Sequence, residues 1–125
     1  MGRILVIDDY PGVRQMMEYY LPHFGHTVAS AADGPTGLRL AGEEVFDLVL
    51  VDLDMPRMSG LDVCRKLKSD PHRQALPVIL ITGRVTIHVM IQAKSAGIAE
   101  VIAKPFEWND LSDAITRFIP TSLQA

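Results

Sequence analysis

The amino-acid sequence predicts an α/β domain in which five parallel strands form one sheet with helices on both faces. Short apolar runs recur along the chain and alternate with stretches of helical length. Four runs are almost continuously apolar, which is typical of strands covered on both faces. The second run, HTVAS, is more polar and alternating, which is typical of an edge strand. These observations predict a single doubly wound (βα)5 domain with the strand order 2-1-3-4-5.

Each strand is predicted from a short run of apolar, often β-branched residues. In chain order the runs are RILVI, HTVAS, DLVLV, PVILI and EVIA, at 3–7, 26–30, 47–51, 77–81 and 100–103. Because helical stretches separate them, right-handed crossovers are expected to make every strand parallel to its neighbours. The order then reverses between strands one and three, which predicts a crevice at their carboxyl ends.

Each helix is predicted from its length and from apolar residues at helical spacing. In chain order the helices and their apolar residues are 11–24 (Val13, Met16, Met17, Tyr20, Leu21), 34–44 (Leu38, Leu40, Ala41), 59–69 (Leu61, Val63, Cys64, Leu67), 85–96 (Val85, Val89, Ala93, Ala96) and 107–119. Gly25 and Gly97 each follow a helix, where a residue with positive φ ends the helix at low cost.

Size and composition narrow the class of protein. The 125 residues suit one domain, with a core at about 3–119 and a frayed tail at 120–125. A formal net charge of -3 without a basic stripe argues against direct binding of nucleic acid. The single cysteine allows no intrachain disulfide, which favours a reducing, cytoplasmic location. No apolar run approaches the roughly 20 residues that span a bilayer, so no membrane association is expected.

Polar side chains end four of the predicted strands. Asp8 and Asp9 follow the first, Asp52 follows the third, Thr82 the fourth and Lys104 the fifth. Each alone has a plain explanation, such as a helix cap, a solvated acid or a turn. Together at one sheet edge, three carboxylates favour a hard divalent cation: Mg²⁺ first, with Mn²⁺ or Ca²⁺ as alternatives. A carboxylate can also accept a phosphoryl group, whose oxygens a lysine and a hydroxyl stabilise.

The chain resembles the receiver domain of two-component response regulators, which has a flavodoxin-like topology. The segments that carry the resemblance are VIDD, DLVLVDLDMPRMSG, LITG and AKPF, and it extends from Ile4 to about Ile119. It implies that Asp52 is the phosphoacceptor, that Lys104 and Thr82 bind the phosphoryl group, and that the Lys104–Pro105 peptide is cis. It also implies a metal site whose ligands are Asp9 and Asp52, with Asp8 acting through water and Asp54 through its backbone carbonyl.

Three features bear on how such a receiver is regulated. At position 101, where the family typically has a switching aromatic ring, this chain has Val101. By the resemblance, Asp54 and Arg84 are expected to tune the lifetime of the acyl phosphate, and their opposite charges allow them to pair. In the helix at 85–96, Ile87, Met90 and Ile91 fall outside the predicted buried stripe. They indicate a partner or homodimer surface, although a wider buried face is an open alternative.

The resemblance implies a signalling switch that catalyses only its own phosphorylation and dephosphorylation. Its expected partners are a sensor histidine kinase or phosphotransfer protein, and a downstream protein or an output domain outside this chain. Three alternatives are less favoured. An aspartyl hydrolase that uses Asp54 as its acid would need its nucleophile at the end of the first strand, and a flavin-binding module would need a phosphate loop where this chain has the acidic DDYPG. An adaptor with relic acids would not need the full set of site residues. Cys64 is expected in the core, most histidines in solvent, and Trp108 in packing or a partner contact.

Overall fold

A computed structural model describes residues 2–119 of the chain, and within them five strands alternate with five helices. The strands are β1 (Arg3–Ile7), β2 (Thr27–Ala31), β3 (Leu48–Asp52), β4 (Val78–Thr82) and β5 (Glu100–Ala103). The helices are α1 (Pro11–His23), α2 (Gly34–Glu43), α3 (Gly60–Lys68), α4 (Ile87–Ala96) and α5 (Trp108–Phe118). The predicted tail at 120–125 lies outside the described residues.

The five strands form one parallel sheet in the order β2-β1-β3-β4-β5, which confirms the predicted topology. β1 lies between β2 and β3, so Leu5 pairs with Ala29 on one side and with Val49 on the other. β2 is an edge strand and is less buried than β1, β3 and β4, as its polar sequence predicts. The carboxyl ends of β1 and β3 are therefore adjacent at the point where the strand order reverses.

Successive side chains of the central strands enter two different cores. Leu5, Val49 and Leu80 pack on the side of α2, α3 and α4. Ile4, Leu50 and Ile79 pack on the opposite side, against α1 and α5. This alternation explains why the runs are almost continuously apolar, because both faces of the sheet are covered. Cys64 is fully buried in the first core, as predicted.

Most element boundaries shift by one residue from the prediction, and the largest difference is at α4. Thr86 caps this helix, because its hydroxyl accepts a hydrogen bond from the Val89 amide at 3.1 Å. The helix therefore begins at Ile87 and not at position 85. Val85 precedes it and is 48% exposed, so the prediction that Val85 belongs to the buried stripe was wrong. Gly25 and Gly97 have φ of 88° and 90°, as predicted.

His26 is the exception among the histidines, since the other three are exposed. It lies just before β2, is 6% exposed, and accepts a hydrogen bond at Nδ1 from the Gly2 amide. Burial lowers its pKa below the ordinary 6.5, so the folded chain favours the neutral ring. Within residues 2–119, no helix combines the length and the apolar character that crossing a bilayer requires.

Candidate functional site

Three carboxylates meet where β1 and β3 end. Asp8 and Asp9 follow β1, and Asp52 is the last residue of β3. One oxygen from each carboxylate lies within 4.8 Å of the others. Asp8 and Asp52 are 2% and 4% exposed, whereas Asp9 is open to solvent. The structure thus brings together the three acids that the sequence predicts at this edge, in a set of oxygen ligands that suits a hard divalent cation.

The turn between β1 and α1 fixes Asp8 through several hydrogen bonds. Its amide donates to the Ala31 carbonyl at 3.1 Å, and its Oδ1 accepts from the Tyr10 amide at 2.9 Å. Its carbonyl accepts from the guanidinium of Arg14 at 2.6 Å, a contact that the sequence did not reveal. Pro11 then begins α1, where its missing amide hydrogen costs nothing.

The loop after β3 returns closely over Asp52. The Leu53 amide donates to Ile81 at 2.9 Å, and the Gly60 amide donates to Leu53 at 3.2 Å. A Cβ atom at position 60 would lie 2.5 Å from the carbonyl oxygen of Asp52, so only glycine is accommodated there without a shift of the backbone. Ser59 and Asp62 then form a capping box that begins α3. The packing of Gly60 therefore holds the loop that borders the acids.

Lys104 brings a positive charge to the cluster. Its amide donates to the Thr82 carbonyl at 2.8 Å, which continues the pairing of β4 with β5 by one residue. Its Nζ lies 2.7 Å from Asp52 Oδ1 and 3.8 Å from Asp8 Oδ2. The Lys104–Pro105 peptide is cis, as predicted. One ammonium thus contacts two of the three carboxylates, and the site keeps an excess of negative charge.

The pKa values reflect burial and this imbalance of charge. Burial raises the pKa of Asp8 above its ordinary value, the Tyr10 amide opposes the shift, and the charges of Asp52 and Asp9 reinforce it. Burial likewise raises the pKa of Asp52 against the opposing effect of Lys104. Burial lowers the pKa of Lys104. The hydrogen bond to Asp52 and the charges of the neighbouring carboxylates together outweigh this effect, so the pKa of Lys104 is raised overall.

Thr82 and Arg84 lie on the β4 side of the site. Thr82 ends β4 and is fully buried, and its Oγ1 accepts a hydrogen bond from the Arg84 amide at 3.0 Å. Its own hydroxyl hydrogen therefore remains a donor. The Arg84 guanidinium donates to Asp54 Oδ1 at 2.6 Å, with both side chains well exposed. The two residues thus form the ion pair that their opposite charges allow, while their effect on the acyl phosphate stays a prediction.

A family model for the response regulator receiver domain matches residues 4–116, which is nearly all of the described chain. The chain belongs to this family. Response regulator PleD of Caulobacter vibrioides is 39% identical over 106 residues, which cover 85% of this chain and 23% of PleD. Chemotaxis protein CheY of Pseudomonas aeruginosa is 32% identical over 116 residues, which cover 92% of this chain and 94% of CheY. The chain thus spans about a quarter of PleD but nearly all of CheY.

A solved structure gives the same result. The receiver domain of a sensor histidine kinase from Pseudomonas aeruginosa PAO1 superposes with a TM-score of 0.86 and 26% identity, covering 96% of this chain and 98% of that domain. That structure has a magnesium ion coordinated in its active site cleft. The protein is accordingly a receiver of two-component signalling, a family of phosphorylation-controlled switches that interact with histidine kinases and output partners.

Position 101, where the resemblance leads us to expect a switching aromatic ring, holds Val101. Val101 lies on β5 opposite Leu80 of β4, is half-buried, and packs against the core on the α4 side. A valine has one strongly restricted side-chain torsion and no ring to rotate into a space near Thr82. Val101 therefore cannot couple the site to α4 through the rotation of an aromatic ring.

The outer face of α4 is apolar and exposed. Ile87, Met90 and Ile91 are 82%, 44% and 63% exposed, while Val89, Ala93 and Ala96 face the core. The alternative of a wider buried face is therefore wrong within this chain. Together with Val85 in the preceding loop, these three exposed side chains make up the set that we call the α4 strip (Val85, Ile87, Met90 and Ile91).

Proposed function

We propose that Asp52 is the phosphoacceptor of this receiver and takes its phosphoryl group from the phosphohistidine of a sensor histidine kinase or phosphotransfer protein. In this step an Asp52 carboxylate oxygen forms a bond to phosphorus as the bond from phosphorus to the imidazole nitrogen breaks. The nitrogen keeps the electron pair of the broken bond. The observation that carries the proposal is the 2.7 Å contact between Lys104 and Asp52 inside a cluster of three carboxylates.

Asp9, Asp52 and the backbone carbonyl of Asp54 are the proposed direct ligands of Mg²⁺, with Asp8 acting through water, and Mn²⁺ is an alternative. The fit is supported by ligand atoms that are all oxygens and by two buried carboxylates whose pKa values are raised. When bound, the cation supplies positive charge to the oxygens of the transferring phosphoryl group. The related histidine-kinase receiver, with magnesium in its cleft, supports the same assignment.

Lys104 and Thr82 are proposed to hold the phosphoryl oxygens. The Lys104 ammonium already contacts the Asp52 oxygen, so it is near the position that a phosphoryl oxygen would take. The hydroxyl hydrogen of Thr82 is available because Oγ1 serves only as an acceptor from Arg84. Preorganised donors of this kind stabilise charge that develops during transfer.

Asp54 and Arg84 are proposed to control how water reaches the acyl phosphate. Their ion pair joins the loop after β3, which begins next to Asp52, to the loop after β4. The same contact weakens the hydrolase alternative, since the residue that would serve as its general acid is already bonded to a guanidinium. We propose no activity beyond self-catalysed phosphorylation and dephosphorylation.

Output is proposed to pass through the α4 strip to a downstream protein, to an output domain, or to a second copy of the chain. Its support is the exposure of four large apolar side chains within the seven residues 85–91. The proposed receiver unit comprises residues 1–125 with its core at 3–119. A cytoplasmic location is part of the proposal, supported by a single cysteine that is free and buried.

Intact-mass spectrometry after incubation with acetyl phosphate and Mg²⁺ tests the central step. We expect one phosphoryl adduct on the wild type and none on Asp52→Asn, because an amide is not a nucleophile toward phosphorus. Asp47→Asn is the control, since Asp47 lies at the opposite end of β3 and its carboxylate accepts a hydrogen bond from the Arg3 amide. An adduct that persists in Asp52→Asn would refute the assignment.

A further inference from the structure

We infer that Arg14 is a positioning residue for the acidic cluster, because its guanidinium fixes the peptide that carries Asp8 and Asp9 in the geometry that binds the divalent cation. The inference rests on the proposed Mg²⁺ site and adds a residue to it. Arg14 would touch neither the cation nor the phosphoryl group. It would act through the backbone of the residue it contacts.

The contact is short and lies next to the acids. Arg14 Nη1 donates to the carbonyl oxygen of Asp8 at 2.6 Å, and the contact is partly buried. Arg14 stands in the first turn of α1, where its amide donates to the Tyr10 carbonyl at 3.3 Å. The side chain therefore turns back over the loop that precedes its own helix and ties this loop to the helix.

With Arg14 in place, every polar group of Asp8 has a partner. The amide is held by Ala31, the carboxylate by Tyr10 and Lys104, and the carbonyl by Arg14. Ala31 belongs to the sheet, and Tyr10 belongs to the turn before α1. Arg14 is the partner that fixes the direction of the carbonyl, and with it the plane of the peptide that joins Asp8 to Asp9.

The direction of the Asp9 carboxylate depends on this peptide plane. Within residues 2–119, no side-chain hydrogen bond or ion pair of Asp9 is present, and the residue is exposed. Its carboxylate is therefore aimed by its own backbone, whose orientation follows from the preceding carbonyl. A rotation of this peptide would move the Asp9 oxygens out of the 4.8 Å cluster with Asp8 and Asp52.

The role of Arg14 is one of geometry more than of charge. The ion pairs of Asp8 and Asp52 are made with Lys104, whereas the guanidinium of Arg14 is aimed at a backbone oxygen. Groups that orient metal ligands typically contribute about 10- to 100-fold to metal affinity. We therefore expect Arg14→Met to weaken Mg²⁺ binding by about 10-fold or more. Arg14→Lys, which keeps a donor on a long side chain, should restore most of the affinity.

Arg73 provides a matched control. Its Nε also donates to a backbone carbonyl, that of Ala41, at 2.7 Å, and its side chain is partly buried. It lies in the loop before β4, at the amino ends of the strands and away from the acids. Arg73→Met should therefore lower the free energy of unfolding and leave the Mg²⁺ dissociation constant unchanged.

The experiment is a calorimetric titration of the full chain with MgCl₂ for the wild type, Arg14→Met, Arg14→Lys and Arg73→Met, with urea unfolding to establish that each variant is folded. Weaker binding confined to Arg14→Met supports the inference. Equal affinities in Arg14→Met and the wild type overturn it, while the proposed site stands. A loss of affinity in Arg73→Met as large as in Arg14→Met also overturns it, since general destabilisation would then explain both. A wild type that binds no Mg²⁺ overturns the proposed site and the inference together.

Discussion

At the scale of single residues, the site combines groups that are costly to keep in a folded protein. Asp8 and Asp52 are almost fully buried and face only one ammonium, that of Lys104, among the described residues. Such an arrangement persists because the packed strands on either side hold the side chains in place. Asp54 and Arg84, in contrast, are exposed and free to separate. We call these two residues the rim of the site. The rim is the part of the site that can change without unfolding the sheet.

The rim pair gives a prediction about the lifetime of the phosphorylated form. Arg84→Ala removes the guanidinium that bonds to Asp54 and leaves the buried acids untouched. We expect faster dephosphorylation, because water gains access to the acyl phosphate. The half-life after removal of the phosphodonor, followed by intact-mass spectrometry, measures this effect.

Arg39→Ala is the control for Arg84→Ala, because Arg39 forms a comparably exposed ion pair with Glu43 on α2. It should leave the half-life unchanged, since exposed pairs contribute little to stability. An unchanged half-life in Arg84→Ala would reject the tuning role of the rim.

At the scale of elements, α4 is attached to the domain by a narrow apolar face. Val89, Ala93 and Ala96 are its buried residues, and two of the three are alanines. Small side chains bury little apolar area, so the packing energy of α4 is modest compared with that of a leucine-rich helix. Its outward face meanwhile carries the α4 strip. The helix is thus loosely held on one side and apolar on the other.

The α4 strip predicts an effect on association. Ile87→Lys places a charge at its most exposed position, where the side chain is 82% exposed. We expect weaker self-association or partner binding, because a charge in an apolar interface must be desolvated. Phosphorylation of Asp52 should be unaffected. Light scattering coupled to gel filtration measures self-association, and the intact mass measures phosphorylation.

Val45→Lys is the matched control for Ile87→Lys. Val45 is 86% exposed and lies between α2 and β3, at the other end of the sheet from the acids. It should change neither association nor phosphorylation. Equal association of Ile87→Lys and the wild type would show that the α4 strip is not the interface.

At the scale of the whole molecule, stability is expected to depend jointly on pH and Mg²⁺. Burial and neighbouring charge raise the pKa of Asp8 in the folded state above 3.8, and burial raises that of Asp52 despite Lys104. The folded chain then holds these protons more tightly than the unfolded chain. Without Mg²⁺, the contribution of both groups to stability is lost as pH rises from 3.8 through their folded-state pKa values.

Added Mg²⁺ should reverse this loss, since it binds the deprotonated cluster of the folded chain. At about 100 times its dissociation constant it should raise the free energy of unfolding by about 2.7 kcal/mol at neutral pH. The increase should be small below pH 3.8, where the carboxyl groups are protonated. Urea unfolding with and without MgCl₂ measures the difference.

Asp8→Asn separates the two effects of charge and metal on stability. It should raise the stability of the Mg²⁺-free protein, because the amide can still accept from the Tyr10 amide and carries no charge. It should also reduce the gain from Mg²⁺. A gain in stability from Mg²⁺ that is equal at neutral pH and below pH 3.8 would contradict this prediction. So would a gain that is equal in Asp8→Asn and the wild type.

The sequence predicted most of this architecture because the strands are apolar on both faces and end in polar residues. The positions of Asp52, Thr82 and Lys104 at strand ends follow from the sequence, because each stands where an apolar run stops. The one-residue shift of β3 could not be predicted, since the pairing of Asp52 with Ile81 decides where that strand ends. The contact of Arg14 with Asp8 depends on a side chain that turns back over its own loop. The burial of His26 depends on a long-range contact with Gly2, which local patterns do not encode.

The sheet also acts as a partition, because the residues of its two cores are separate sets on opposite sides. A change of side-chain volume under α4 is therefore expected to alter the packing among α2, α3 and α4 more than that of α1 and α5. The changes in the free energy of unfolding caused by distant substitutions in the two cores are then expected to add. The half of the molecule that carries the proposed α4 strip is therefore expected to tolerate substitutions that leave the packing of α1 and α5 unchanged.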